Sequence, residues 1–208
     1  MKITRTANAG VLLEFQDCSL LIDGVCQELA PYVGTPENIR KGLEITPPDA
    51  VLYTHYHNDH YEKGYALNYT NTTLRPVYGP EFAVSGKIKN TSIKAVETAH
   101  IGKPDVPHVS YIISGEKCIW MLGDASFEHV KKQGLSPKPQ VIILPFAYVI
   151  SKSAWKWVKE LEAEKVIVVH LPKKENDPHR LWKAMEETLG KEIDNLCILD
   201  VGETVVIA

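Results

Sequence analysis

Residues 54–61 read THYHNDHY, which sets His55, His57, Asp59 and His60 in an H-x-H-x-D-H pattern. Three of the chain's 8 histidines thus fall within one short segment. They stand just beyond Ala50–Tyr53, a run that reads as a short buried strand. A loop at the carboxyl end of a strand can turn several side chains into one crevice, where α/β sheets place their sites. Imidazole and carboxylate without thiolate form a donor set that suits zinc, manganese or iron. One histidine in such a loop would read as a surface or packing residue. Three with an aspartate between them read as a metal site.

Further along, polar residues again fall at strand ends. His100 follows the strand-like Ser92–Val96, Asp124 follows Trp120–Gly123, and His170 follows Val166–Val169. Each taken singly has a plain reading: loop surface, a turn residue after Gly123, a satisfied polar cap. Joined to the 55–60 motif, they complete the donor set of a two-metal site.

The rest of the chain predicts a layered scaffold. Short apolar bursts at Lys2–Thr6, Val11–Phe15 and Ser19–Ile22 suit a β-meander. Thr35-Pro36-Glu37 predicts a helix start, with Thr35 as N-cap and Pro36 at the first helical position. A polar stretch after the histidines leads to a strand near Pro76–Tyr78 and a helix opening at Pro80. Val109–Ile113 and Lys117–Leu122 predict a hairpin turning at Ser114-Gly115. Val141–Leu144 and Val166–Val169 predict buried strands, with a helix over Ser151–Glu164 between them. Asp177-Pro178 opens a helix that Gly190 closes. Strands near Cys197–Val201 and Thr204–Ile207 end the chain. Strands outnumber helices and run in groups, which gives a layered α/β (α+β) protein rather than a strictly alternating one. With 208 residues, 44% apolar and 24% charged, one domain over 1–208 is expected.

These motifs resemble the metallo-β-lactamase-fold superfamily of metallohydrolases over nearly the whole chain. H-x-H-x-D-H matches at 55–60, and the family's third histidine matches His100 in TAHIGKPDVPHVSY. The GD motif matches at Gly123-Asp124, and the terminal histidine matches His170 in VIVVH. LLID at 20–23 supplies the strand-end aspartate, Asp23, that usually stands behind the ligands. The resemblance implies a four-layer αββα sandwich. It implies that His55, His57 and His100 hold one metal, that Asp59, His60 and His170 hold a second, and that Asp124 bridges them. Two zinc ions are expected, with Mn2+ or Fe as alternatives. No cysteine lies near Asp124, which disfavours the branch that carries one there. The run ILPFAYVISKSAWKWVKELEAEKVIVVHLP resembles the short stand-alone members of the L-ascorbate 6-phosphate lactonase-like group. A length of 208 residues leaves no room for the inserted domains of larger branches.

The implied function is a metal-dependent hydrolase. Hydroxide bridging the two metals would attack a small ester, lactone, thioester or phosphodiester, with Asp59 as the catalytic residue that orients the nucleophile and moves its proton. An iron-dependent redox enzyme on the same scaffold and a non-enzymatic metal-binding protein are the alternatives. Tyr148 reads as an aromatic packed over the rim, Lys173 and Lys174 as a solvated pair, His108 as packing or support for the ligands, and His129 and His179 as surface or capping residues. A balance of 23 basic against 26 acidic residues, net −3, argues against nucleic acid and leaves a small-molecule substrate. A homo-oligomer built on tryptophan contacts is compatible with the sequence. No apolar run approaches the roughly 20 residues of a membrane span. The N-terminus lacks a secretory pattern, and Cys18, Cys26, Cys118 and Cys197, with no C-x-x-C pair, read as buried reduced thiols. The cytoplasm is therefore the expected compartment.

Overall fold

Strands that are apolar on both faces must be covered on both, and this sets how the layers stack. The computed structural model describes residues 1–81, 85–189 and 195–208. A first sheet opens with the antiparallel meander β1 (Lys2–Arg5), β2 (Val11–Glu14) and β3 (Ser19–Ile22), to which β4 (Ala50–Leu52) and β5 (Val77–Tyr78) add in parallel. A second sheet takes β6 (Ser85–Ile88), β7 (Thr91–Glu97), β8 (Val109–Ser114) and β9 (Cys118–Met121) antiparallel, then β10 (Val141–Pro145), β11 (Lys165–Val169) and β12 (Leu196–Ile198) in parallel. The last strand, β13 (Thr204–Val206), returns to pair with β1.

The two-residue period of a strand then sorts its side chains. Leu20, Ile22, Ala50 and Leu52 of the first sheet share one buried cluster with Tyr111, Ile113, Met121, Ile143 and Ile167 of the second. The alternate residues Leu21 and Val51, with Tyr53, face outward and are covered by α1 (Glu37–Ile45) through Leu43 and by α2 (Lys63–Thr73) through Tyr65, Ala66 and Tyr69. Behind the second sheet, Ile142, Leu144, Val166 and Val168 are covered by α3 (Phe127–Gln133), α4 (Ala147–Ile150), α5 (Lys152–Glu160) and α6 (Leu181–Leu189). Helices outside two facing sheets give the expected αββα layering. No helix among the described residues is long and apolar enough to cross a membrane.

Several local expectations are corrected. Thr35 does not cap α1: its hydroxyl accepts from Cys26 N (3.0 Å) and donates to Gly24 O (3.2 Å), tying a loop instead. The stretch read as polar holds α2, whose buried Tyr65, Ala66 and Tyr69 are masked in the sequence by interleaved Asn and Thr. No helix runs on from Pro80 through residues 85–88, which form β6 against β7, while residues 82–84 lie outside the described ones. The short helices α3 and α4 are additional. The helix expected to reach Glu164 ends at Glu160, and Glu162 takes a left-handed φ of +50°. The helix expected from Asp177 starts at Leu181, with Asp177 Oδ2 accepting from Trp182 N (2.8 Å); Gly190 lies outside the described residues. All four cysteines are free, but only Cys18 and Cys26 are buried; Cys118 and Cys197 are half-buried.

Ile143 is fully buried between the two sheets. Ile143→Ala is expected to lower stability by about 2–5 kcal/mol, read as a fall in the urea midpoint at unchanged slope.

Candidate metal centre

The parallel strands end on common edges, and the chemistry collects where they do. Asp23 follows β3, His55 follows β4, Asp124 follows β9, and His170 follows β11 with a left-handed φ of +65°. His55 and His60 are fully buried, and Asp59, His100 and His170 are nearly so. The potential ligand atoms form three overlapping groups: His55, His57 and His100; His55, His60 and Asp124; and Asp59, His60 and His170. Within each group these atoms lie within 4.8 Å of one another. Asp124 Oδ2 stands 3.4 Å from His170 Nε2, 3.5 Å from His60 Nε2 and 3.6 Å from His100 Nε2, so one carboxylate faces imidazoles of both expected sets. All seven residues expected at the centre are therefore brought together.

The supporting bonds decide which imidazole nitrogen is free. Asp23, fully buried, accepts from Thr54 N (2.8 Å), Thr54 Oγ1 (2.6 Å) and His60 Nδ1 (3.0 Å). Because the Thr54 hydroxyl donates to Asp23, it can only accept from His55 Nδ1 (3.0 Å), which leaves His55 Nε2 with its lone pair. His100 donates from Nδ1 to Ile101 O (2.5 Å). Gly123 permits this packing: it has φ +57°, and a Cβ there would lie 2.7 Å from the Thr54 side chain.

His108 acts one step back. Asp124 N donates to His108 Nε2 (3.0 Å), so the proton sits on Nδ1 and is given to Thr98 Oγ1 (2.8 Å). The chain continues through Ser110 Oγ (3.2 Å) to Leu122 O (3.0 Å). His129, on α3, accepts from Ala99 N (2.8 Å) and steadies the loop that carries His100. Tyr148 is buried and donates to Ala125 O (2.9 Å), a packing and anchoring role beside Asp124. Lys174 pairs with Glu186 (2.7 Å), and Lys173 and His179 are exposed. Sequence reasoning passed over Asn8, which donates to Asp59 Oδ2 (3.2 Å) while its carbonyl accepts from His170 N (2.9 Å). Its one sequence signal is an unpaired amide residue between two strands, which is a weak one.

Burial lowers His55 far below the ordinary imidazole range and His108 to about 3, so both stay neutral. For His60 and His170 burial also opposes charge, yet Asp124 and the other adjoining carboxylates outweigh it and raise both, His170 to about 9. Burial works against ionised Asp124 too, but His170 and His60 hold it well below the usual carboxylate range. Two ionised carboxylates in one buried hollow require positive charge beside them. A divalent cation fits that demand, and the donor atoms are ready for it. His60 Nε2, His100 Nε2, Asp124 Oδ1 and both His170 ring nitrogens are buried with no hydrogen-bond partner. Orphaned buried polar atoms are costly, and imidazoles held through the opposite nitrogen are the usual support of a metal site.

Residues 4–61 match the model of the metallo-β-lactamase superfamily. The chain is 27% identical over 237 aligned positions to the UPF0173 metal-dependent hydrolase MK1542 of Methanopyrus kandleri, covering 98% of this chain and 99% of that relative. Among solved structures it is similar to a possible metal-dependent hydrolase from Veillonella parvula, with TM-score 0.72, 18% identity and coverage of 100% of this chain and 99% of that one. It is also similar to the isothiocyanate hydrolase from Delia radicum gut bacteria, with TM-score 0.68, 17% identity and full coverage of both chains. The shared fold is the two-sheet sandwich described above.

Asp23→Asn keeps the volume but cannot accept from both Thr54 and His60 as the carboxylate does. Metal affinity, measured by chelator competition, is expected to fall about 10–100-fold while circular dichroism reports a folded chain.

Proposed function

We propose that the chain is a metal-dependent hydrolase of the metallo-β-lactamase superfamily with a dinuclear centre, zinc being the expected metal; the match over residues 4–61 and the likeness in fold to a possible metal-dependent hydrolase support this reading. The observation that carries this reading is the convergence of unpartnered imidazole nitrogens and carboxylate oxygens in three overlapping groups. His55, His57 and His100 would hold one cation, Asp59, His60 and His170 the other, and Asp124 would face both. When bound, divalent cations supply the Lewis acidity that makes water nucleophilic near neutral pH and offsets negative charge on the substrate oxygen.

The chain's own residues do the rest. Asp59 keeps its carboxylate in place through Asn8 Nδ2 (3.2 Å) and lies 3.2 Å from His170 Nε2. Its pKa is lowered, because the close approach of His170 and the charges of His60 and His170 outweigh burial. Asp59 is therefore ionised at neutral pH and suited to orient the attacking water, take its proton and hand it to the leaving group. His108 and Asp23 fix the directions of Asp124 and His60, so that the donors need not reorganise during turnover. The substrate is a small ester, lactone or phosphodiester, in keeping with a net charge of −3 and no basic tract.

Elemental analysis of the purified chain is expected to find two equivalents of a divalent metal, lost on chelation and restored by zinc or manganese. Less than one equivalent with no recovery of activity would sink the dinuclear reading. At a free metal concentration 100 times Kd, the loaded chain is expected to be more stable than the stripped one by about 2.7 kcal/mol. Asp59→Ala is expected to cut hydrolysis of a lactone, ester and phosphodiester panel by about 10²–10⁴-fold or more. Full turnover by a metal-loaded Asp59→Ala chain would refute its role.

A further inference from the structure

The loop between β3 and α1 carries groups that the hydrolytic chemistry leaves unused. Its base is tied down. Cys26 N donates to Thr35 Oγ1 (3.0 Å), and Thr35 N donates to Cys26 O (3.1 Å). Arg40 forms a two-pronged pair with Glu62 (2.7 and 3.0 Å) and also donates to the carbonyls of Cys26 (2.9 Å) and Thr35 (3.1 Å). Gln27 N reaches Asn58 O within the histidine motif (3.3 Å). The tip is closed by reciprocal backbone bonds between Leu29 and Tyr32 (2.8 and 3.3 Å). A loop held at base and tip presents its side chains in fixed positions, as a recognition element requires.

What it presents is aromatic. The half-buried Tyr32 ring stands edge-on to the His170 imidazole, with centroids 4.7 Å apart and planes at 72°. Phe146, directly after β10 and held by its N–H to Val169 O (3.1 Å), places a second ring 6.1 Å from the same imidazole. Leu29, on the same tip as Tyr32, is 49% exposed. Two of the cations near His170, Arg5 and Lys174, are engaged elsewhere. The buried Arg5 guanidinium donates to the carbonyls of Ala7, Asn8, Leu171 and Leu199, and Lys174 pairs with Glu186. A site for anionic substrates needs charge-assisted donors at this point. His170 meets Asp59 and Asp124 through Nε2, and what the loop and the end of β10 bring to it is two aromatic rings.

We propose that Tyr32 and Phe146 form an apolar wall beside the metal centre that receives the non-reacting part of the substrate, so that the site selects uncharged substrates with an aryl or alkyl substituent next to the scissile group. This rests on the metal-centre reading above and narrows the substrate class of that same site to esters and lactones, setting the anionic phosphodiester aside. The ring surface does the selecting, since large aromatic faces give the greatest apolar contact per residue.

The test uses the full metal-loaded chain and hydroxamates, which share one metal-binding head. Titration calorimetry compares acetohydroxamate, phenylacetohydroxamate and the anionic phosphonoacetohydroxamate, with metal content measured on each variant. Phenylacetohydroxamate is expected to bind about tenfold more tightly than acetohydroxamate, and Tyr32→Ala or Phe146→Ala to bring that ratio close to one. Tyr32→Phe, which keeps the ring, is expected to retain it. A ratio unchanged in both alanine variants, or a wild-type preference for the phosphonate, overturns the wall. No hydroxamate binding together with less than one equivalent of metal overturns the metal centre itself, and the wall with it. That outcome differs from equal binding of the two neutral probes, which defeats the wall alone.

Discussion

A single buried carboxylate organises the centre. Asp23 ends β3 in a left-handed conformation (φ +49°) and accepts from the backbone and hydroxyl of Thr54 and from His60 Nδ1. Those bonds tie the end of β3 to the end of β4 and turn His60 Nε2 toward Asp124. Through the Thr54 hydroxyl the same carboxylate also determines which nitrogen of His55 carries its proton. Gly123 brings the Asp124 segment against Thr54 at a spacing that leaves no room for a Cβ. Loss of Asp23 would thus leave buried donors unpaired as well as removing bonds, and the unpaired groups are the costlier part.

The centre places strain on the scaffold that the scaffold is built to bear. Orphaned imidazole nitrogens and a bare Asp124 oxygen stand at the ends of strands that pack on one another through Leu52, Tyr111, Met121 and Ile143. The apolar layers hold the strand ends in register. Stability is given up locally so that donors stand ready, a pattern common at functional sites.

The residues of the 55–60 motif were legible because they lie together in sequence, where a donor pattern needs no fold to be seen. His100, Asp124 and His170 were legible at one remove: each follows a predicted strand, and parallel strands end on one edge. Grouped strands showed a layered α/β protein, whereas the αββα arrangement came from the resemblance of the motifs to a known family. Other features were hidden for physical reasons. The buried face of α2 is made by two tyrosines and an alanine among Asn and Thr, so its period is faint. Thr35 has the chemistry of an N-cap, but a tertiary bond to Cys26 N claimed its hydroxyl. At Pro80 a residue type that often starts helices stands before a strand pairing that only the long-range fold supplies. Asn8 and Tyr32 act through loops, and what they touch is far away in the chain.

The two halves of the centre hang from different supports. Asp23 and Thr54 hold His60 and His55 at the ends of β3 and β4, whereas Arg5 at the end of β1 and Asn8 beyond it hold Asp59 and His170. Arg5, buried and lowered by burial to about 10, still carries its charge at neutral pH. It clasps the carbonyls of Asn8, Leu171 and Leu199, three segments distant in sequence, and Asn8 passes that restraint to Asp59 and to the backbone of His170. Asp124, held in turn by His108, is the group that faces donors from both halves. The spacing across the centre is therefore governed by how the first sheet packs on the second. A substitution in the apolar layer between them can alter the site without touching any of its polar residues.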